Sequence, residues 1–333
     1  MKITFKEKFE IKSHFEPILS DLAKVDQKLY QQIQAFDPRI SGYVEYAVEN
    51  GGKRIRPALV LLAARATGGI RPIHHELSVI VELVHLATLV HDDILDHAGL
   101  RRGMPTMRAK WGPEISVLLG DCLFAQALKL CTRFEDMEVS RAIATAANEV
   151  CTGEIIQTQR RFDLNISLEE YLNTIRMKTG ALFRVSMELS AYLNGIRNEE
   201  LQVFRDYGDA LGTAYQIYDD CLDLMGDESA IGKTLGTDLA RGKLTLPVLH
   251  MLRQLNGSEL ESVSETLLKA DAESLPDLLE RIHSSGGFAY SIRKARELLN
   301  QAEKSLQLVE PRTHLDALVS LSKSFSSHLG TLC

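Results

Sequence analysis

The 333 residues hold no C-x-x-C pair, no Walker-type phosphate loop, no low-complexity linker, and no apolar–polar alternation long enough to build a sheet. Each absence removes a class of protein. The five cysteines, Cys122, Cys131, Cys151, Cys221 and Cys333, are odd in number and widely spaced, which argues against a disulfide framework. They predict reduced, buried thiols and a cytoplasmic location. No Ser-His-Asp set or reactive cysteine context is visible, so no nucleophile is evident. Basic residues number 38 against 45 acidic ones, which excludes a general nucleic-acid binder and a polybasic membrane binder. An anionic ligand would need a locally basic site. No apolar run approaches membrane-spanning length, and Met1 to Lys8 alternate charge without an apolar signal core, so no transmembrane segment is expected. Composition is that of an ordinary globular protein, 45% hydrophobic and 25% charged, and residues 1–333 read as one large helical domain.

What the chain has instead is helical periodicity. Apolar residues recur at threes and fours from about His14 to Ala35, and a second helix through Tyr43, Val44 and Val48 stops at Gly51-Gly52. Lys53, Arg54 and Arg56 then gather where Pro57 opens the next helix, a place where free N–H groups already attract anions. A long helix from about Pro72 runs to Asp96, Arg101 to Pro105 form a loop, and a further helix begins at Pro113. Gly120 inside that helix costs it about 1 kcal/mol relative to Ala, which predicts close backbone approach. Ser167 and Glu170 form a capping box, and Lys178-Thr179-Gly180 predicts a kink whose groups face a ligand. The glycine-rich stretch Gly226 to Gly242 reads either as a surface loop or as a lysine-bearing flap over an anion. Fold class is therefore all-α.

Chemistry concentrates at His91-Asp92-Asp93-Ile94-Leu95-Asp96. Asp92 and Asp96 stand one above the other on a helix, with Asp93 about 100° round, and like charges four apart cost about 0.2–0.5 kcal/mol. Either this is a solvated acidic helix end, or hard carboxylate oxygens await Mg²⁺ or a similar ion that takes substrate phosphates as its other ligands. The same acid spacing returns far away in Asp219-Asp220-Cys221-Leu222-Asp223. Basic residues accompany each cluster: Lys53, Arg56, Arg101 and Arg102 the first, Lys178, Lys233 and Lys243 the second. Paired acids with interleaved cations suit a diphosphate, with Arg gripping oxygens bidentately and Lys acting as a point charge.

Taken in order, Gly51-Gly52-Lys53-Arg54-Ile55-Arg56-Pro57, the two aspartate motifs, Arg101-Arg102-Gly103, Gly120-Asp121, Lys178-Thr179-Gly180, Gln216, and Gly232-Lys233 with Asp238, Gly242 and Lys243 resemble the trans-isoprenyl diphosphate synthase (polyprenyl synthetase) family over nearly the whole length. The resemblance implies an isoprenoid synthase fold, a helical bundle around a deep cavity, usually as a homodimer. It implies that Asp92, Asp96 and Asp219 bind Mg²⁺ ions, three with the allylic diphosphate bound, supported by Asp93, Asp220 and Asp223. Arg101, Lys178, Thr179, Gln216, Lys233 and Lys243 would contact the allylic substrate, and Lys53, Arg56, His85 and Arg102 isopentenyl diphosphate. Of these, Asp92, Asp96, Arg101, Lys178, Asp219 and Lys233 would carry catalysis. The implied reaction is head-to-tail 1'-4 condensation releasing diphosphate, and any membrane contact would be peripheral, for product release.

Ala87 and Thr88 lie about one turn below Asp92 and Val84 about 6 Å further, and in the family an aromatic at the first two positions stops growth early. Their modest size implies a product longer than farnesyl, with Phe124 or Leu128 as candidate floors. Runner-up readings are a farnesyl- or geranylgeranyl-producing short-chain synthase and a non-catalytic subunit of a heteromeric prenyl synthase. A class I terpene cyclase would carry a different second metal motif. A ferritin-like carboxylate bundle would extend Glu82-x-x-His85, for which no second pair is found. The C-terminal Gly330 to Cys333 lacks the basic end that many relatives carry.

Overall fold

Wherever apolar residues recur at helical spacing, a helix forms. The computed structural model describes residues 15–225, 236–269, 274–307, 309 and 315–330. The expected flap lysine Lys233 and the ends Met1 to His14 and Thr331 to Cys333 lie outside them. A 3-10 turn, Glu16–Ile18, leads into α1 (Leu19–Ile33), which buries Leu22, Val25 and Leu29. Helix α2 (Ser41–Glu49) stops before Gly51-Gly52, and Gly52 takes φ 124°, a conformation that side-chain-bearing residues avoid. A Cβ there would also stand 2.7 Å from the Arg102 guanidinium. Helix α3 (Ile55–Thr67) carries Pro57 in its first turn and is buried on nearly every face.

Helix α4 (Pro72–Leu95) is the centre of the molecule, packed by α1 and α3 and by two helices still to come, α5 and α8. Among the described residues it is the one helix long and apolar enough to cross a membrane, and most of it is buried inside the molecule. Beyond it the expected loop is a minimal antiparallel ribbon, β1 (Leu100–Arg101) with β2 (Met104–Pro105). Its two-residue turn needs positive φ at both positions, which Arg102 (54°) and Gly103 (75°) supply. Thr106 then caps α5 (Met107–Cys131) by accepting from Ala109 N at 3.1 Å. This helix breaks at Gly112 (φ 87°, ψ 165°). The predicted start at Pro113 is therefore its second half.

Helix α6 (Met137–Gln159) precedes α7 (Leu168–Ile175), where both capping-box bonds are made, Glu170 N to Ser167 Oγ at 3.1 Å and Ser167 N to Glu170 Oε2 at 2.8 Å. The predicted kink is a widened π turn, Arg176–Gly180, opening into α8 (Ala181–Leu193). Helix α9 (Asn198–Met225) lies hard against it: a Cβ on Gly212 would stand 2.9 Å from Gly180 Cα. A short turn, α10 (Thr237–Ala240), and α11 (Leu246–Leu252), α12 (Gly257–Lys269), α13 (Leu275–Ser284), α14 (Gly287–Leu306) and α15 (Asp316–Leu329) complete the chain. Buried apolar residues from Phe15 to Leu329 form one cluster. Cys131 and Cys221 are buried thiols as expected, but Cys122 is only half-buried and Cys151, on the outer face of α6, is exposed.

Candidate active site

Helix α4 ends in acids, and a helix C-terminus is already electronegative, so Asp92, Asp93 and Asp96 require cations. Asp93 and Asp96 each find a different one within 4 Å. Asp93 is held bidentately by Arg101, with Nη2 at 2.8 Å and Nε at 3.0 Å from Oδ1. Burial still leaves its carboxyl above the usual range. Asp96, at the helix cap, is drawn to Lys243 at 2.7 Å, and although burial opposes its charge the neighbouring cations hold it below the usual range. Asp92 makes no ion pair within 4 Å among the described residues. Burial pushes its carboxyl up to about 6, Lys178 offsets only part of that, and Glu154 and Asp96 add repulsion.

The π turn delivers Lys178 between helices. Its ammonium sits 2.5 Å from Glu154 Oε2 and 2.9 Å from Gln157 Oε1 on α6. Burial disfavours its charge, but Asp92 and Glu154 more than compensate, and its pKa lies above the ordinary lysine value. Gly153 makes this possible, since a Cβ there would stand 2.8 Å from Lys178 N. Thr179 on the same turn donates to Gln216 Oε1 at 2.6 Å, and Gln216 donates to Asp220 Oδ1 at 2.8 Å.

The three acids of the second motif occupy three different surroundings. Asp219 is half-buried, and its charge, like that of Asp92, acts on Arg101, which places the arginine between the two motifs. Asp220 is buried and accepts from Tyr171 Oη at 2.5 Å. Burial, and then Asp238, raise it to about 7. Asp223 is fully buried and caps α10, accepting from Asp238 N at 3.1 Å and Thr237 Oγ1 at 3.2 Å.

Beside the acids lies a group of cations with few counter-charges. Arg56 stands 5.0 Å over the Phe183 ring, its Nε makes no hydrogen bond among the described residues, and burial lowers its pKa. Arg102 is lowered by burial and by Arg101. Neither makes an ion pair within 4 Å among the described residues. His85 is driven well below its ordinary value by burial and then by Arg56, Arg101 and Arg102, and its buried Nδ1 makes no hydrogen bond among the described residues. Lys53 lies half-buried in the segment before Arg56. An anion would relieve Arg56 and Arg102.

Arg54 does not belong to it. From an αL position (φ 54°) at the start of α3 it turns inward to Glu82 Oε1 at 2.7 Å, Asp26 Oδ1 at 3.0 Å and Val48 O at 2.9 Å. The basic trio before Pro57 thus divides in two. Glu82 is occupied by Arg54, which removes the ferritin-like use of Glu82 and His85. Sequence reasoning gave no role to Glu154, Tyr171, Arg161 or Arg241. The nearest signal was Gly153 before Glu154, a helical glycine that marks close approach.

Below Asp92, Val84 and Ala87 are buried, and Thr88 is half-buried with its hydroxyl donated to His85 O at 2.8 Å. Phe124 is half-buried near His91, whereas Leu128 is 48% exposed, so within one chain Leu128 is not a cavity floor. Among the described residues no three acid, His or Cys side chains converge to hold a metal by themselves. Asp92, Asp96 and Asp219, all hard oxygen donors at a crowded acidic site, fit an ion that draws its remaining ligands from a phosphate.

A sequence model of the family described as Polyprenyl synthetase matches residues 37–282. The all-trans-nonaprenyl-diphosphate synthase (geranyl-diphosphate specific) of Rhodobacter capsulatus is 33% identical, over 97% of this chain and 98% of its own. The octaprenyl diphosphate synthase of Escherichia coli is also 33% identical, over 91% and 94%. Among solved structures, a polyprenyl synthase from Caulobacter crescentus, in complex with calcium and isoprenyl diphosphate, superposes with a TM-score of 0.90 at 31% identity, covering 96% of this chain and 99% of that one.

Proposed function

Because the chain belongs to the polyprenyl synthetase family, we propose that the two acidic helix ends hold an allylic diphosphate through Mg²⁺ and that the pocket of Arg56, Arg102, His85 and Lys53 holds isopentenyl diphosphate. The protein is a trans-polyprenyl diphosphate synthase, a prenyltransferase that condenses these substrates into products longer than farnesyl. One observation carries the site assignment: Arg56 and Arg102, which make no ion pair within 4 Å among the described residues, accompany the acids crowded at two helix ends, with Arg56 close enough to feel the charge of Asp92. Both aspartate motifs are intact, which disfavours a non-catalytic subunit.

Magnesium, as many as three ions with substrate bound, supplies charge neutralisation to the diphosphate leaving group. The chain's own groups do the rest. Asp92, Asp96 and Asp219 provide the carboxylate oxygens, while Asp93 orients Arg101. Lys178 and Lys243, released from Glu154 and Asp96, turn their charge to the diphosphate, with Thr179 and Gln216 beside them. Asp220 and Asp223 fix α9 and α10 and act on the metal site through Gln216 and Asp219. As the allylic C–O bond breaks, the double bond of isopentenyl diphosphate attacks the allylic carbon, and the proton lost passes to the departing diphosphate. Preorganised cations and exclusion of water make the ionisation accessible. Incubation with isopentenyl diphosphate and each allylic primer, followed by sizing of the products, tests the reading. No chain growth with any primer would refute it.

Growth runs down α4 past Ala87, Thr88 and Val84. Ala87→Phe is expected to shorten the product by one or more isoprene units, read by chromatography of the dephosphorylated alcohols. An unchanged distribution would show that another wall sets length. Residues 1–333 act as one domain, and the working form is a homodimer: α5 and α6 turn Leu118 (61% exposed), Ile155 (58%) and Leu128 (48%) outward, apolar area that a second copy would cover. The double variant Leu118→Glu, Leu128→Glu should sediment as a monomer at micromolar concentration. A retained dimer mass would place the interface elsewhere.

A further inference from the structure

Three cations converge on one carboxylate oxygen at the first motif. Asp96 Oδ1 lies 2.7 Å from Lys243 Nζ, 3.5 Å from Arg161 Nη2 and 3.9 Å from Arg241 Nη1. One carboxylate oxygen has lone pairs for about two good hydrogen bonds. The only other acid within 4 Å of these cations, among the described residues, is Asp238, 3.4 Å from Lys243. Positive charge is therefore in excess before Asp96 commits an oxygen to a metal. Arg161 is the least satisfied of the three: its Nε and Nη2 are buried and make no hydrogen bond among the described residues. The Arg161 side chain is 25% exposed, but donors that are buried and idle are unfavourable unless an anion meets them.

The backbone holds Arg161 there deliberately. Phe162, next in the chain, adopts φ 62°, a strained value for an aromatic residue, and its N–H donates to Gly242 O at 2.8 Å. Its ring covers Gly242 so closely that a Cβ there would stand 2.5 Å from ring carbons. This clasp fastens the segment bearing Arg161 to the one bearing Arg241 and Lys243. Arg160, indistinguishable from Arg161 by type, faces outward to Asp163 at 2.6 Å and Glu170 at 2.8 Å.

We propose that Arg161 is a further substrate-binding residue, gripping the diphosphate of the allylic substrate and leaving Asp96 free for the metal. The inference rests on the reading of this site as the allylic diphosphate site. Arg161 belongs to none of the motifs from which that reading began. Loss of one charge-assisted contact to a diphosphate typically weakens binding by roughly 10-fold or more. Arg161→Ala should therefore raise KM for the allylic primer by about that factor, leave KM for isopentenyl diphosphate and the melting temperature near the parent values, and be partly rescued in Arg161→Lys. Arg160→Ala should match the parent. Calorimetric titration with inorganic diphosphate and Mg²⁺ should show the same roughly 10-fold weakening in Arg161→Ala. An unchanged allylic KM with unchanged diphosphate affinity overturns the proposal. So does a loss explained by a lower melting temperature and shared equally by both substrates. If the parent protein condenses no primer at all, the site reading falls, while the diphosphate titration still decides the case of Arg161.

Discussion

Asp92→Ala is expected to lower turnover by on the order of 10²-fold or more, the usual cost of removing one preorganised electrostatic group from a reacting site. The same substitution should leave the metal-free protein no less stable. Asp92 makes no ion pair within 4 Å among the described residues, Lys178 offsets only part of its burial, and its carboxyl is raised to about 6. A folded-state pKa above the unfolded value of about 3.9 means that folding is favoured below the lower value and loses that contribution as pH rises through the upper one. At neutral pH the charged Asp92 therefore opposes folding, and alanine relieves it. Steady-state kinetics with saturating Mg²⁺ and thermal unfolding with a chelator separate the two effects. Near-parent turnover would remove Asp92 from the site, and a large fall in melting temperature would make it structural.

Arg54→Ala should have the largest effect on stability, about 3–5 kcal/mol, because it strands a buried acid. The Arg54 side chain is 10% exposed and its partner Glu82 only 1%. The arginine joins α1 through Asp26, the end of α2 through Val48 O and α4 through Glu82, so its loss loosens three elements at once. The double variant Arg54→Met, Glu82→Leu should recover most of the loss, since an apolar pair of similar volume leaves no buried charge unmatched. Urea unfolding measures both. A single-variant loss under about 1 kcal/mol would mean that water reaches Glu82.

These two residues also show what the sequence makes legible. Asp92 is readable because its crowding with Asp93 and Asp96 is local and recurs in the second motif. The helices are readable for the same reason: periodicity, the Ser167–Glu170 box and the stop at Gly52 express short-range geometry, while Gly120 marks by its missing side chain a tertiary approach, since a Cβ there would collide with the His91 ring on α4. Arg54 is not readable. Lys53, Arg54 and Arg56 are alike as letters, and only the αL backbone at Arg54 and the arrival of Glu82 from α4 decide which turns inward. Glu154 and Arg161 are hidden similarly, since one charged residue on an amphipathic helix or just past its end is indistinguishable from a solvated one. The break at Gly112 escaped because Met107 to Trp111 is too short a segment to show a period.

The capping of α10 by Asp223 has a kinetic consequence. A four-residue helix has no independent stability, so α10 persists because Asp223 accepts from Asp238 N and Thr237 while its carbonyl accepts from Gly236 N at 2.7 Å. Solvent exchange at the Asp238 amide thus clocks the detachment of this segment from α9. The same segment carries Lys243 to Asp96, so that opening also withdraws Lys243 from the first motif.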